Sequence, residues 1–402
     1  MRHLLSVAAI AGLTTFNFAC TPQTASNADD SFLGLVLGAG TVASTRTGDG
    51  STATDSSVAG LSEAAGRVVG HGVFRMIDLG PGHAGERWTL ANSGPGFFSR
   101  FVVVLFDADY DLLIREVLSG SVVLEHLFRR DTDHVYLGVM SAASSPGGDF
   151  AYSVHRAQAD VPSPAAQTVW LNFAAGQNVS VHGRSGISFA AFDGAMLGER
   201  YIGQTTAIKA SIVQAMREDY APYNVTIITS DEREPPEPPY SVLHFGGDDS
   251  GLLGLADNVD RYNRNPSQNA VVYIRTFANY SVMELEPAEM GQMVGNVASH
   301  ELGHLLGLYH TRDPSDVMDS TGSAWELATN QRFGRTPLEP SVFLTGMENT
   351  RRMLEQTVGL NTAFVTLAEP AGKLELTSKA LLRSFVHDEI RLGCGTCLAL
   401  DD

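Results

Sequence analysis

The sequence is poor in cysteine, in positive charge and in long apolar runs. Among 402 residues there are three cysteines, Cys20, Cys394 and Cys397. The last two form a CGTC pair with no second pair nearby, so they do not make a zinc ribbon, which takes four ligands. No βαβ pattern surrounds them to build a thioredoxin-like redox site. In an exported protein the remaining reading is a short-loop disulfide between Cys394 and Cys397. Lysine and arginine total 27 against 45 aspartates and glutamates, a net charge of −18. That balance argues against a nucleic-acid partner, which needs a basic footprint, and favours solubility. One apolar run, residues 4–19, stands at the N-terminus, and it is too short and interrupted to span a bilayer as a mature helix.

What is present begins with that run. It follows Arg2 and His3 and reads as a secretory signal over residues 1–20. Cys20 comes directly after Phe18-Ala19 and before a polar stretch. This resembles a bacterial lipoprotein cleavage site, with Asn17 where a leucine is usual. The expectation is an extracytoplasmic protein, anchored to a bacterial membrane or cell surface by lipid on Cys20, or else secreted. The anchor is then the chain's only link to a membrane. Residues 21–62, rich in Ser, Thr, Ala, Gly and Asp, read as a flexible tether.

Residues 63–159 read as β-rich. Strands are expected over 68–78, 86–91, 101–106, 112–118, 135–140 and 150–156, divided by turn signals rich in Gly, Pro, Asn and Asp. Short strands at this spacing indicate an antiparallel sandwich, and the pattern resembles the pre-peptidase sandwiches of secreted bacterial peptidases. In FDADYDLL, Asp107, Asp109 and Asp111 admit two readings, a hairpin turn or a Ca2+ loop. An EF-hand loop wants glycine sixth and glutamate twelfth; Leu112 and Leu118 stand there, which favours the turn.

The stretch DVPSPAAQ (160–167) marks a boundary, and residues 160–360 read as a second, α+β domain. Strands are expected over 168–173, 224–229, 241–245 and 271–275, with helices over 203–220 and 342–358. Residues 232–239 read as a proline-rich loop. Residues 361–402 form a tail with no functional reading beyond the CGTC pair. His182, His244 and His387 stand alone and read as surface or satisfied core residues.

Residues 300–310, HELGHLLGLYH, organise the rest. A helix puts His300 and His304, four apart, on one face about one turn apart. Apolar Met290, Met293, Val294 and Val297 support that helix. Glu301 lies beside the first histidine, placed to accept a proton from an attacking water. Gly307 tolerates the left-handed conformation that ends a helix, and the turn brings back His310. Three nitrogens leave a fourth position open, the pattern of a catalytic rather than a structural zinc.

HExxHxxGxxH is the signature of the metzincin metallopeptidases. The stretch through Pro314 and Met318 most resembles their matrixin branch. The resemblance implies a zincin fold of mixed sheet and zinc helix, one catalytic Zn2+, Glu301 as general base, and a methionine turn at Met318. It further implies a protein or peptide substrate laid along an edge strand, and GLLGLAD (251–257) resembles the segment leading to that strand. The chain departs from the family at Asp319, Ser320 and Thr321, where matrixins carry proline and tyrosine, so no pocket preference carries over. Cys20 has another use, so latency by a propeptide cysteine is not implied. The reading is a secreted or lipid-anchored zinc endopeptidase. The alternatives are an anchored binding or adhesion protein with the zinc domain as scaffold, and a hydrolase of non-peptide amides. Nothing in the sequence bears on oligomeric state.

Overall fold

The computed structural model describes residues 62–70, 72–94, 99–120, 122–143 and 145–367. Cys20, the signal and tether, and the Cys394–Cys397 pair lie outside them. No described helix is long and apolar enough to cross a membrane.

The first eight strands are β1 (Ser62–Val69), β2 (Phe74–Asp78), β3 (Glu86–Asn92), β4 (Phe101–Phe106), β5 (Leu112–Leu118), β6 (Leu124–Leu127), β7 (Tyr136–Ser141) and β8 (Gly147–Gln158). They form two antiparallel four-stranded sheets, ordered β1-β8-β3-β6 and β2-β7-β4-β5. Val68, Trp88, Leu90 and Val154 of one sheet share a core with Val103, Leu105, Leu137 and Val139 of the other. The strand expected over 68–78 is two strands, because Gly70 and Gly72 turn the chain at φ +90° and +74°.

β4 (FVVVLF) is buried along its whole length. Successive side chains of a strand point to opposite faces, so its two faces enter two cores. Val103 and Leu105 fill the sandwich. Val102, Val104 and Phe106 pack against Tyr309, Leu338, Val342 and Phe343 from the second half of the chain.

That second half contains β9 (Gln167–Asn172), β10 (Gly176–Val181), β11 (Arg184–Phe189), α1 (Thr205–Tyr220), β12 (Val225–Thr229), β13 (Ser241–Phe245), β14 (Gly254–Ala256), β15 (Asn269–Val272) and α2 (Pro287–Leu305). Five strands make one sheet, ordered β12-β9-β13-β15-β14. All neighbours are parallel except β14, which lies antiparallel on β15 at the edge. α1 and α2 cover the sheet through a core that includes Leu171, Ile208, Ile212, Val272, Val294 and Leu302. The strand expected over 271–275 stops at Val272, and a 3-10 helix starts at Ile274.

Beyond α2 come α3 (Ala324–Leu327), β16 (Arg335–Pro337), β17 (Met347–Asn349) and α4 (Thr350–Val358). The helix expected over 342–358 is half that length. Residues 347–349 pair with 335–337 instead, and the Asn349 side chain caps α4 by accepting from Arg352 N.

The β4–β5 hairpin settles the two readings of its aspartates. Asp107 Oδ1 accepts the N–H groups of Asp109 and Asp111, both at 2.9 Å, which is a turn. Arg352 reaches Asp107 at 2.8 Å and also Asp111; Arg335 Nε donates to Asp111 at 2.6 Å. Arginines neutralise these carboxylates where a calcium ion would have done so, and they join the sandwich to the second half.

Candidate active site

α2 opens with Pro287 in its first turn and a capping box between Glu286 and Glu289. From Met293 onward every residue is buried, so each polar side chain on this helix needs a partner. Asn296 Nδ2 donates to Leu327 O and Thr329 O at 2.7 and 2.6 Å. His300 Nδ1 donates to Val317 O, and His304 Nδ1 to Leu308 O, each at 2.8 Å. A carbonyl can only accept, so these bonds fix the proton on Nδ1 and leave Nε2 with a lone pair.

The helix ends at Gly307. Gly307 N bonds to His304 O and Leu308 N to Gly303 O, both at 2.9 Å. This is the paired closure of a Schellman motif, and Gly307 takes its left-handed position at φ +94°. A Cβ there would come within 2.6 Å of Arg261 Cα. The turn brings His310 back under the helix. The Nε2 atoms of His300, His304 and His310 stand 3.1, 3.2 and 3.1 Å apart.

Burial pushes the His300 imidazolium down to about 4. His304 and His310 lie well below the usual imidazole range, through burial first and then the neighbouring imidazoles. All three rings are therefore neutral near pH 7 and their Nε2 atoms face one point, where His300 and His304 present unprotonated nitrogens. Such lone pairs repel each other unless a cation lies between them. Neutral imidazole nitrogens at this spacing suit zinc. Among the described residues they are the only group of His, Cys, Asp or Glu side chains so placed.

Met318 is fully buried beneath the site. A Cβ on Gly303 would come within 2.4 Å of its Sδ, so Met318 packs directly against α2 beside His304. Its turn is built by Asp316, which sequence reading missed. Asp316 accepts from Met318 N at 2.8 Å, Gly334 N at 3.0 Å and Thr336 Oγ1 at 3.2 Å. Burial raises its carboxyl to about 6. Asp319 turns into its own loop, accepting from Thr321 Oγ1 at 2.8 Å and from the N–H groups of Thr321 and Gly322.

Glu301 is 1% exposed. Its carboxylate lies against Gly254, the first residue of β14, where a Cβ would come within 2.3 Å of Oε1. The group beside the histidines thus also touches the edge strand, which pairs with β15 alone among the named strands. His182 and His244 take no part. His182 Nδ1 bonds Asp257 O at 2.7 Å, and buried His244 lies between Asn172 and Asn269. His387 lies outside the described residues.

The family-model comparison agrees with this geometry. Residues 215–332 match the matrixin family model, and that span holds β14, α2 and the methionine turn. No curated protein matches the chain. Among solved structures, archaemetzincin from Methanopyrus kandleri is similar at 16% identity over 48% of this chain and 96% of that one, with a TM-score of 0.26. A zinc-dependent peptidase from Methanocorpusculum labreanum is similar at 11% identity over 42% and 94%, with a TM-score of 0.27. A periplasmic lysozyme inhibitor from Aeromonas hydrophila is similar at 13% identity over 26% and 93%, with a TM-score of 0.21. The matched segment, with its three histidines, is a zinc metallopeptidase domain of the metzincin type.

Proposed function

We propose that the chain is an exported zinc endopeptidase that holds an extended protein segment along β14 and cleaves it beside Glu301. The observation that carries this reading is the convergence of three neutral imidazole nitrogens next to a buried carboxylate at the edge strand of the sheet.

His300, His304 and His310 would hold the ion, oriented by Val317 O, Leu308 O and the Gly307 turn. Bound there, zinc supplies Lewis acidity that polarises the scissile carbonyl and acidifies a nearby water. Glu301 accepts that water's proton and returns it to the leaving amine nitrogen, as general base and then general acid. Main-chain pairing to β14, the edge strand of the sheet, would align the substrate without reading its side chains. An edge pairing of this kind needs no free terminus, which supports internal cleavage. The signal-like residues 1–20 and Cys20 support export and lipid anchoring. Retention of Glu301 disfavours the binding-protein alternative, which has no need of a base.

The test is cleavage of a peptide blocked at both ends by the full chain and by Glu301→Ala. The reading expects chelator-sensitive internal cleavage by the wild type. The variant should retain its zinc and lose activity by a factor on the order of 10³ or more. Wild-type turnover in Glu301→Ala would refute the mechanism; cleavage of only unblocked peptides would refute the endopeptidase assignment.

A further inference from the structure

The turn that delivers His310 is gripped from outside the zinc helix. Arg261, in the loop between β14 and β15, has a side chain only 2% exposed. Its Nη1 donates to Gly307 O at 2.7 Å and to Glu348 Oε1 at 3.0 Å. Its Nε donates to Leu113 O at 2.9 Å, and its Nη2 to Leu112 O. One planar guanidinium therefore ties three elements together: the terminal glycine of the zinc helix, β17, and the start of β5 in the sandwich. A lysine ammonium cannot reproduce that fork.

Two independent features point the same way. Tyr262 and Asn263, next in the loop, take left-handed conformations at φ 69° and 47°. For residues with a Cβ this costs free energy and persists only where the surroundings enforce it. Tyr309, beside the third ligand, donates its hydroxyl to Arg115 O of β5 at 3.2 Å. It also packs into the core shared with β4.

We propose that Arg261 is a positioning residue for the third zinc ligand, His310, and that through it the Leu112 and Leu113 carbonyls make the sandwich part of the zinc site. This rests on the zinc-peptidase reading and assigns the sandwich a role in it. Arg261 holds the turn that leads to the ligand rather than the ligand itself, and loss of partners outside the ligand set typically weakens metal binding by about 10–100-fold.

Zinc affinity of the full chain, by competition with a chromogenic chelator, tests this together with the visible spectrum of the cobalt-substituted protein. Arg261→Lys should stay folded by circular dichroism, bind zinc about 10–100-fold more weakly, and shift the cobalt spectrum. In a His310→Ala background the same substitution should cost markedly less, because the larger part of its effect passes through that ligand. Unchanged affinity, or an equal loss in both backgrounds, overturns the proposal. If Arg261→Lys does not fold, Glu348→Gln, which weakens the carboxylate hold on Arg261 itself, replaces it: a several-fold loss of affinity supports the proposal, and wild-type affinity overturns it. A wild-type chain that takes up no zinc overturns the peptidase reading as well, so the two failures are distinct.

Discussion

At Gly254 a single hydrogen in place of a methyl group leaves room for the Glu301 carboxylate against β14. A Cβ there would come within 2.3 Å of Glu301 Oε1, so Gly254→Ala must move either the carboxylate or β14. A displacement of this size costs about 100-fold when it misaligns reacting groups. The expectation is a kcat lowered by about that factor at unchanged zinc content, checked by steady-state kinetics beside metal analysis. Asp219, on α1, shows a different residue-scale effect. Burial raises its carboxyl to about 7, against a smaller opposing contribution from the Ser299 hydroxyl. The folded chain therefore holds a proton that the unfolded chain releases near pH 4, so stability falls as pH rises from about 4 to about 7. Asp219→Asn removes this linkage. Its stability relative to wild type should be greater at pH 8 than at pH 4, measured by denaturant unfolding at each pH. The three-histidine cluster was legible because His300 and His304 lie four apart on one helix and Gly307 turns the chain ahead of His310. Gly254 and Arg261 were not, since what they touch lies 47 and 46 residues away at Glu301 and Gly307.

Elements reveal where periodicity reads well and where it fails. α1, β9, β12 and β13 were legible because apolar residues recur at the helical spacing or crowd into short β-branched runs. Family resemblance makes 251–257 the segment leading to the edge strand; the edge strand β14 lies within it, at 254–256. The β10–β11 hairpin was invisible: GQNVSV and RSGISF are mostly polar and half-exposed, and carry no strong alternation. The helix expected over 342–358 failed because Phe343 belongs to a loop packed on the sandwich. Its ring makes edge contacts with Phe74 and Phe106 at 5.5 and 5.6 Å. Phe343→Ala would open a cavity in that fully buried contact. Loss of a core phenylalanine costs about 3–5 kcal/mol, and denaturant unfolding should register it in a single transition shared by the sandwich and peptidase halves.

Across the whole molecule, a linker at 160–167 was readable from composition, but the bonds that cross it were not. Arg115 Nε donates to Val342 O at 3.0 Å, and Arg352 reaches the β4–β5 hairpin from α4, pairs more than two hundred residues apart in sequence. The positive charge of this acidic chain is nearly all arginine, with Lys209, Lys373 and Lys379 as its lysines. Arginine suits such buried, forked pairings. Removing residues 62–158 would strip Leu112 and Leu113 from Arg261 and bare the apolar face of Tyr309, Leu338, Val342 and Phe343. The shortened chain should aggregate or bind zinc more weakly, measured by light scattering and metal content. A soluble, fully metallated remainder would show that the sandwich is dispensable.

The central claim is that His300, His304 and His310 converge to hold one zinc ion. Its most direct test is metal analysis of the purified full chain beside His304→Ala, both verified as folded. The account predicts one zinc per chain in the wild type and close to none in the variant. A folded wild-type chain without zinc, or a variant that keeps it, would contradict the account.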